Sequence, residues 1–164
     1  MTPEQAFDQY HQAVFRFVYR LTRREDLAED ITQECFVAFV RAPERFDQAR
    51  GSMKTYLFSM ARNLTLKQYR DHRAEEPLVE DLSAAVDPHA AVDVAAVAAA
   101  VSDLPALQRE ALVLFQYEGA TLDEIAKIVG ADVGTVKSRL HRARERLRRA
   151  LAAYREVGDT HGTV

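Results

Sequence analysis

Thr121-Leu-Asp-Glu124-Ile-Ala-Lys-Ile-Val-Gly130-Ala-Asp-Val-Gly-Thr-Val136-Lys-Ser-Arg-Leu140-His-Arg-Ala-Arg-Glu-Arg-Leu-Arg-Arg149 is the stretch that decides the fold. Thr121 with Glu124 three residues on is a capping box, in which each side chain satisfies a backbone amide of the first helical turn. Ile125, Ala126 and Val129 then recur at helical spacing up to Gly130. The glycine permits a tight turn, and a second periodic run follows through Val133, Val136 and Leu140. A small residue at 126 lets a second helix cross close above the first, while Ile125, Val129 and Val136 pack the pair together. This is the helix-turn-helix pattern, whose second helix enters the major groove of DNA. From Gly134 to Arg149 there are seven Lys or Arg against one acid, Glu145. Backbone phosphate is the natural partner of such density. Thr135, Lys137, Ser138, His141 and Arg142 fall at or near the exposed start of the second helix, within reach of base edges or phosphates. A solvated basic helix ending a bundle is the plainer reading of the same charges, but it leaves the glycine turn and the small residue unexplained.

The remainder of the chain reads as helical too. Proline and glycine are sparse and spaced widely, no segment alternates apolar with polar residues, and no Asn-Gly or Asp-Gly hairpin signal occurs. Thr2, Pro3 and Gln5 start a first helix, with Phe7, Tyr10, Val14, Phe17, Val18 and Leu21 at helical spacing. A second helix is expected from about Asp26 to Arg41, with Leu27, Ile31, Cys35 and Ala38 along one face and Pro43 after its end. A loop from Glu44 to Gly51 follows. Ser52 caps a third helix reaching about Arg73, with Leu57, Met60, Ala61 and Leu64 as its buried side. Three helices in about 75 residues can bury one small core. Residues 75–89 read as a linker. An Ala/Val helix carrying Val94, Val97 and Val101 comes next, then a helix started by Asp103 and Pro105 that stops near Gly119.

The 164 residues suit one ordinary domain or two small ones. A net charge of −3 hides an asymmetry. Residues 1–74 hold 12 Lys and Arg against 10 acids, residues 75–103 hold none against seven, and residues 104–150 hold nine against six. An acidic segment thus separates two mildly basic parts, which points to nucleic acid where the total charge would not. The single cysteine, Cys35, excludes an internal disulfide and a thiolate metal cage. No apolar run reaches the roughly 20 residues that span a bilayer, and no secretory signal is visible, so a cytoplasmic protein is expected.

Two further helices carry candidate surfaces. On the third, Tyr56, Ser59, Asn63, Lys67 and Arg70 are spaced three or four apart opposite the apolar stripe, with Arg62, Tyr69 and Arg73 in a neighbouring row. Aromatic faces stack on unpaired bases, and interleaved cations follow a strand's backbone. An ordinary amphipathic helix with a wet basic face would look the same. On the second, Asp26, Glu29, Asp30, Gln33 and Glu34 form an acidic side that repels DNA and suits a basic protein partner, or simply water.

Taken in order, the acidic helix with Asp30-Ile-Thr-Gln-Glu-Cys-Phe36, the aromatic-basic helix with Ala61-Arg-Asn63, the acidic linker, and Leu104-Pro105 leading into Gly134-Thr-Val-Lys-Ser-Arg-Leu-His-Arg-Ala-Arg-Glu145 resemble the bacterial extracytoplasmic-function (ECF) sigma factors of the sigma-70 family. The resemblance runs from about Phe7 to Leu151. It implies an all-α chain of two small helical domains joined by the acidic linker: region 2 at 1–74, region 4 at 90–152, and a tail at 153–164. It also implies that Asp30, Gln33 and Glu34 face the β′ clamp helices of core RNA polymerase. Phe46 to Ser52 would form a pocket for a base flipped from the minus-ten element, and Tyr56, Arg62, Asn63 and Lys67 would line the melted strand. Thr135, Lys137, Ser138, His141 and Arg142 would read the minus-thirty-five duplex, with region 4 near the β flap. The linker would thread toward the RNA exit path, and an anti-sigma factor would hold the chain inactive. Lys67 stands where the family often has an acid, Tyr56 where Trp is frequent, and Arg70-Asp-His-Arg73 where an Arg pair is common.

No enzyme site competes with this reading. The five histidines lack metal-ligand spacing, there is no Gly-rich phosphate loop, and Cys35 lies on an apolar helical face. Neither a cofactor, a metal, a small-molecule substrate nor membrane insertion is expected. A homodimeric helix-turn-helix regulator would account for residues 104–150 but not for the second and third helices. A polymerase-binding adaptor without DNA preference is a third possibility.

Overall fold

A computed structural model describes residues 1–72 and 94–159, and all of their regular structure is helical. The linker expected at 75–89 lies outside the described residues. Helix α1, Pro3–Thr22, opens with the expected capping box: the Thr2 hydroxyl accepts from the Gln5 amide (3.2 Å), and the Gln5 side chain accepts from the Thr2 amide (2.9 Å). Arg23 ends it in a left-handed conformation (φ 57°), donating its amide to the Tyr19 carbonyl. Helix α2, Glu25–Arg41, starts one residue before the expected position, and its first turn holds Glu25 and Asp26 against the positive end of the helix dipole. Helix α3 is Met53–His72, and Ser52 does cap it, its hydroxyl accepting the Thr55 amide at 3.1 Å.

Helices α1, α2 and α3 make a three-helix bundle. Phe17 and Phe58 stack at its centre with centroids 4.9 Å apart, and Val14, Val18, Ile31, Cys35 and Leu57 are fully buried around them. Of the four residues expected on the buried side of α3, Leu57 and Ala61 are buried while Met60 and Leu64 are half-covered. Ala38 is exposed, and Phe36 and Phe39 take the inward positions on α2 instead.

The second half comprises α4 (Val94–Ser102), α5 (Ala106–Leu112), α6 (Leu122–Val129) and α7 (Val133–Asp159). Helix α4 packs on α7 with Ala96 and Val101 buried, while Val94, the first residue of the helix, is exposed. The helix expected to run on to Gly119 changes character at Val113, where a wide π turn, Val113–Tyr117, carries it to Glu118. The Glu118 amide there donates to the carbonyl of Val113, five residues back. Such a turn inserts one extra residue and redirects the chain beyond it. Gly130 closes α6 in the left-handed conformation (φ 68°), which a residue with a Cβ reaches only at a cost. Ile125, Val129, Val136, Leu140 and Ala143 are buried between α6, α7 and α5. Helix α7 runs on to Asp159, into the stretch 153–164 expected as a separate tail.

The halves touch. Helix α3 packs on α6, and α1 packs on α5 and on the π turn. The buried apolar residues of both halves form one continuous cluster.

Candidate polymerase and nucleic-acid interfaces

The helix periodicity sorts α2 into two sides. Leu27, Ile31, Cys35 and Phe39 go inward, which leaves Asp30, Gln33 and Glu34 exposed on the outer side, next to exposed Val37 and Val40. Asp30 and Gln33 also edge a groove between α1 and α2, whose other wall is Phe7, His11, Phe15 and Arg16. Phe7 stacks on His11 and meets Phe36 edge-on (centroids 5.1 Å apart), so the groove has an aromatic wall and an acidic rim. This combination suits a helix bearing basic and apolar side chains.

The loop before α3 is held by two short 3-10 turns, Pro43–Arg45 and Gln48–Arg50. It delivers Phe46 onto Tyr56, with rings 5.5 Å apart at 62°, and Phe39 also meets Tyr56 edge-on at 6.2 Å. Burial in this aromatic nest pushes the Tyr56 hydroxyl up from its ordinary pKa. Ser52 is exposed, but its hydroxyl is engaged with Thr55 in capping α3. From Tyr56 the outward row runs through half-buried Ser59 to exposed Asn63, Lys67 and Arg70. The sequence-selected residues Phe46, Ser52, Tyr56, Asn63 and Lys67 therefore share the loop end and outer side of α3.

Arg62 is the exception. Its side chain is only 14% exposed and forms a two-pronged pair with buried Glu110 of α5, Nε to Oε2 at 2.7 Å and Nη2 to Oε1 at 3.0 Å. In this arrangement its guanidinium faces the other half of the chain, away from any strand lying along Asn63 and Lys67.

On α7 the expected contact residues come together. Lys137, Ser138, His141 and Arg142 are all exposed on one side of the helix, opposite buried Val136, Leu140 and Ala143. Thr135 is half-buried one turn into the helix, and its amide donates to the Asp132 carboxylate at 2.7 Å. That backbone bond holds the Asp132 carboxyl below its usual pKa, as a helix cap should. Sequence reading passed over Asp132, although Asp-Val-Gly-Thr before a periodic run is itself a cap signal. It read Glu124 only as the capping-box partner of Thr121 and not as a partner of Thr55, and it missed Arg20, Lys54, Arg109, Glu110 and Glu118, which bond across the halves. Nothing local marks these residues, because their partners lie far away in sequence.

The comparisons with known proteins agree with this geometry. Residues 6–75 match Sigma-70 region 2, and residues 95–147 match Sigma-70 region 4. Both halves of the fold are thus those of a sigma-70-type transcription factor. The ECF RNA polymerase sigma factor SigM of Bacillus subtilis is 31% identical over 155 residues, covering 90% of this chain and 94% of SigM. SigE of Mycolicibacterium smegmatis is 35% identical over 156 residues, 89% of this chain but only 60% of SigE. Among solved structures, the sigma factor RpoE of Bartonella quintana, crystallised with the anti-sigma factor NepR, superposes with a TM-score of 0.75 at 27% identity over 91% of this chain and 96% of RpoE. The chain belongs to the ECF RNA polymerase sigma factors, and its work is transcription initiation. Among the described residues, no helix is long and apolar enough to cross a membrane.

Proposed function

We propose that residues 1–74 dock on core RNA polymerase and open the minus-ten element, while residues 90–152 read the minus-thirty-five element. The observation that carries this reading is the coexistence of three different exposed surfaces on one chain: acidic on α2, aromatic-basic on α3 and strongly basic on α7. A simple DNA-binding regulator needs only the last. Asp30, Gln33 and Glu34 offer acceptors to a basic helix pair on the polymerase. Phe46 and Tyr56, already nested against Phe39, provide stacking surfaces for a base taken out of the duplex. Ser52 stands one turn before Tyr56, whose amide donates to the Ser52 carbonyl, and Asn63, Lys67 and, once released, Arg62 follow the strand beyond it. Unstacking costs a few kcal/mol per base, and capture in such a nest together with backbone contacts offsets it. Thr135, Lys137, Ser138, His141 and Arg142 engage the upstream duplex. Tethering both domains to polymerase raises their effective concentration on DNA and makes element spacing part of the promoter code.

The chain performs no catalysis of its own. Polymerase supplies the chemistry, so the protein works in the cytoplasm beside it. An anti-sigma factor, the kind of partner seen on the structural relative, holds it inactive.

Run-off transcription on a genomic promoter library, with bacterial core polymerase and with or without this protein, tests the reading. Protein-dependent transcripts sharing two spaced upstream elements are expected. Absence of initiation, with binding to a palindromic duplex retained, would overturn it in favour of a dimeric regulator. Asn63→Ala is expected to reduce permanganate reactivity of the melted strand more than it reduces initial promoter binding, and unaltered reactivity would remove Asn63 from the strand-opening role.

A further inference from the structure

The side-chain ion pairs of the seam between the halves are segregated by sign. The first half presents Arg20, Lys54 and Arg62, and the second presents Glu110, Glu118 and Glu124. Arg62 forks onto Glu110, Arg20 reaches the Glu118 carboxylate (3.3 Å), and Lys54 donates to the Glu118 carbonyl (2.8 Å). Thr55 donates to Glu124 (3.4 Å), and Arg109 crosses the other way to the Leu21 carbonyl at the end of α1 (2.8 Å). A cationic side of region 2 is thus covered by an acidic side of region 4. A carboxylate gripping a guanidinium by two parallel hydrogen bonds presents the same pair of oxygens that a backbone phosphate presents. The seam sets these charged pairs beside a continuous apolar cluster, so opening it costs free energy, and the phosphates of a bound strand supply the counter-charge that Arg62 would otherwise lose.

We propose that this seam is a latch in which Glu110 stands in for a strand phosphate on Arg62, so that domain closure and single-strand capture compete for the same guanidinium. The competition rests on the strand role given to Arg62 above. Closure removes Arg62 from the strand path but leaves Tyr56, Asn63 and Lys67 uncovered. A single strand can therefore begin to bind while the chain is closed, and it gains its last cation only by opening it. Linkage makes the effect reciprocal: whatever strengthens closure weakens strand binding, and bound strand favours the open form.

The test uses the full chain with spin labels on Gln9→Cys and Ala152→Cys, both exposed positions outside the proposed contacts. Native Cys35 stays unlabelled, since it is fully buried and burial pushes its thiol pKa up to about 12. The probe is a 20-nucleotide single-stranded oligothymidine. The wild-type chain is expected to give one short label distance that lengthens when the probe is added. Glu110→Gln is expected to lengthen the distance without DNA and to bind the probe several-fold tighter, with about tenfold as the ceiling for an open state that is on the order of a tenth of the wild-type population. Arg62→Ala is expected to open the chain equally yet bind the probe more weakly. The swap Arg62→Glu with Glu110→Arg is expected to restore the short distance without restoring the affinity, which separates an opened latch from a misfolded chain. A Glu110→Gln chain that keeps the short distance, or opens without binding the probe more tightly, overturns the proposal. Failure of the wild-type chain to support run-off transcription would instead overturn the functional reading, and the distances would still report whether the latch exists.

Discussion

Helices α3 and α7 are both basic, both amphipathic and both proposed above to bind DNA, yet they spend their charge differently. On α7 the cations at 137 and 142 point into solvent, and the ion pair found there, Arg148 with Glu145, is itself mostly exposed. On α3 one cation, Arg62, is nearly buried against an acid 48 residues away, and another, Lys54, is bound to a backbone carbonyl 64 residues away. Exposed pairs are worth little, commonly 0–1 kcal/mol, whereas separating the partners of a buried pair is costly. A helix that leaves cations such as Lys137 and Arg142 exposed is ready to bind polyanion. A helix with cations engaged inside the molecule has to be released first, and that difference is what makes one of the two regulable.

The largest expected effect tests what holds α3 in place. Phe58 is 1% exposed, stacks on Phe17, and has the Lys54 ammonium 5.4 Å from its ring centroid. Phe58→Ala removes a ring that the bundle cannot easily collapse around and is expected to cost about 3–5 kcal/mol, read from urea unfolding. A loss under about 1 kcal/mol would mean that α3 is held by the seam and not by its own bundle, which would erase the distinction between the two helices.

The fold was legible where local chemistry decides it. Both capping boxes, the stop near Pro43, Ser52 as a cap, and Gly130 at the turn are each set by residues within a few positions of one another, and each is present in the structure. The outer side of α2 and the exposed basic side of α7 were legible for the same reason: periodicity fixes which side is buried, and charge then identifies what remains outside. Ala38 was harder, because the width of the buried stripe depends on how closely the neighbouring helix approaches, and so was Val94, because it is the first residue of its helix. The π turn at Val113–Tyr117 left no periodic trace, since one extra residue in a short helix is indistinguishable from its ordinary end. The fate of Arg62 was beyond local reading altogether. Its neighbours predict a basic row, and only the docking of α5 and α6 onto the first half shows that Glu110 reaches it first.

A smaller effect sharpens the contrast at the DNA level. Arg142 is exposed and has no reason to hold the fold together, so Arg142→Ala is expected to leave stability within about 0.5 kcal/mol of wild type. It should weaken duplex binding several-fold, and the slope of log affinity against log salt should become shallower by about 1, the signature of one lost phosphate contact. Arg62→Ala should leave that duplex slope unchanged, because Arg62 lies on the other domain. Equal slopes for Arg142→Ala and wild type, measured by fluorescence anisotropy across a salt series, would withdraw Arg142 from the duplex contact.

The smallest effect is a difference in pH response between two carboxylates of the seam. Glu118 is buried, and burial raises its pKa above the ordinary 4.5, only partly opposed by Lys54, Arg16 and Arg20. The folded state therefore holds its proton more tightly than the unfolded state, so the stability tied to that proton is present at acid pH and is lost as pH rises from about 4.5 through the raised value. Glu124 behaves oppositely. The Thr121 amide it accepts as part of the α6 capping box lowers its pKa, so its contribution is present above 4.5 and is lost as pH falls through the lowered value. Glu118→Gln cannot ionise. It also weakens the pairing with Arg20, but that loss at any one pH is not the informative quantity. Subtracting wild-type from variant unfolding free energies across pH 4 to 7 should give a difference that moves in favour of the variant as pH rises. Glu124→Gln should give a difference that moves in favour of the wild type over the same range. Matching trends in the two variants would mean that Glu118 is not buried against the first half, and the charged seam that sets α3 apart from α7 would lose its centre.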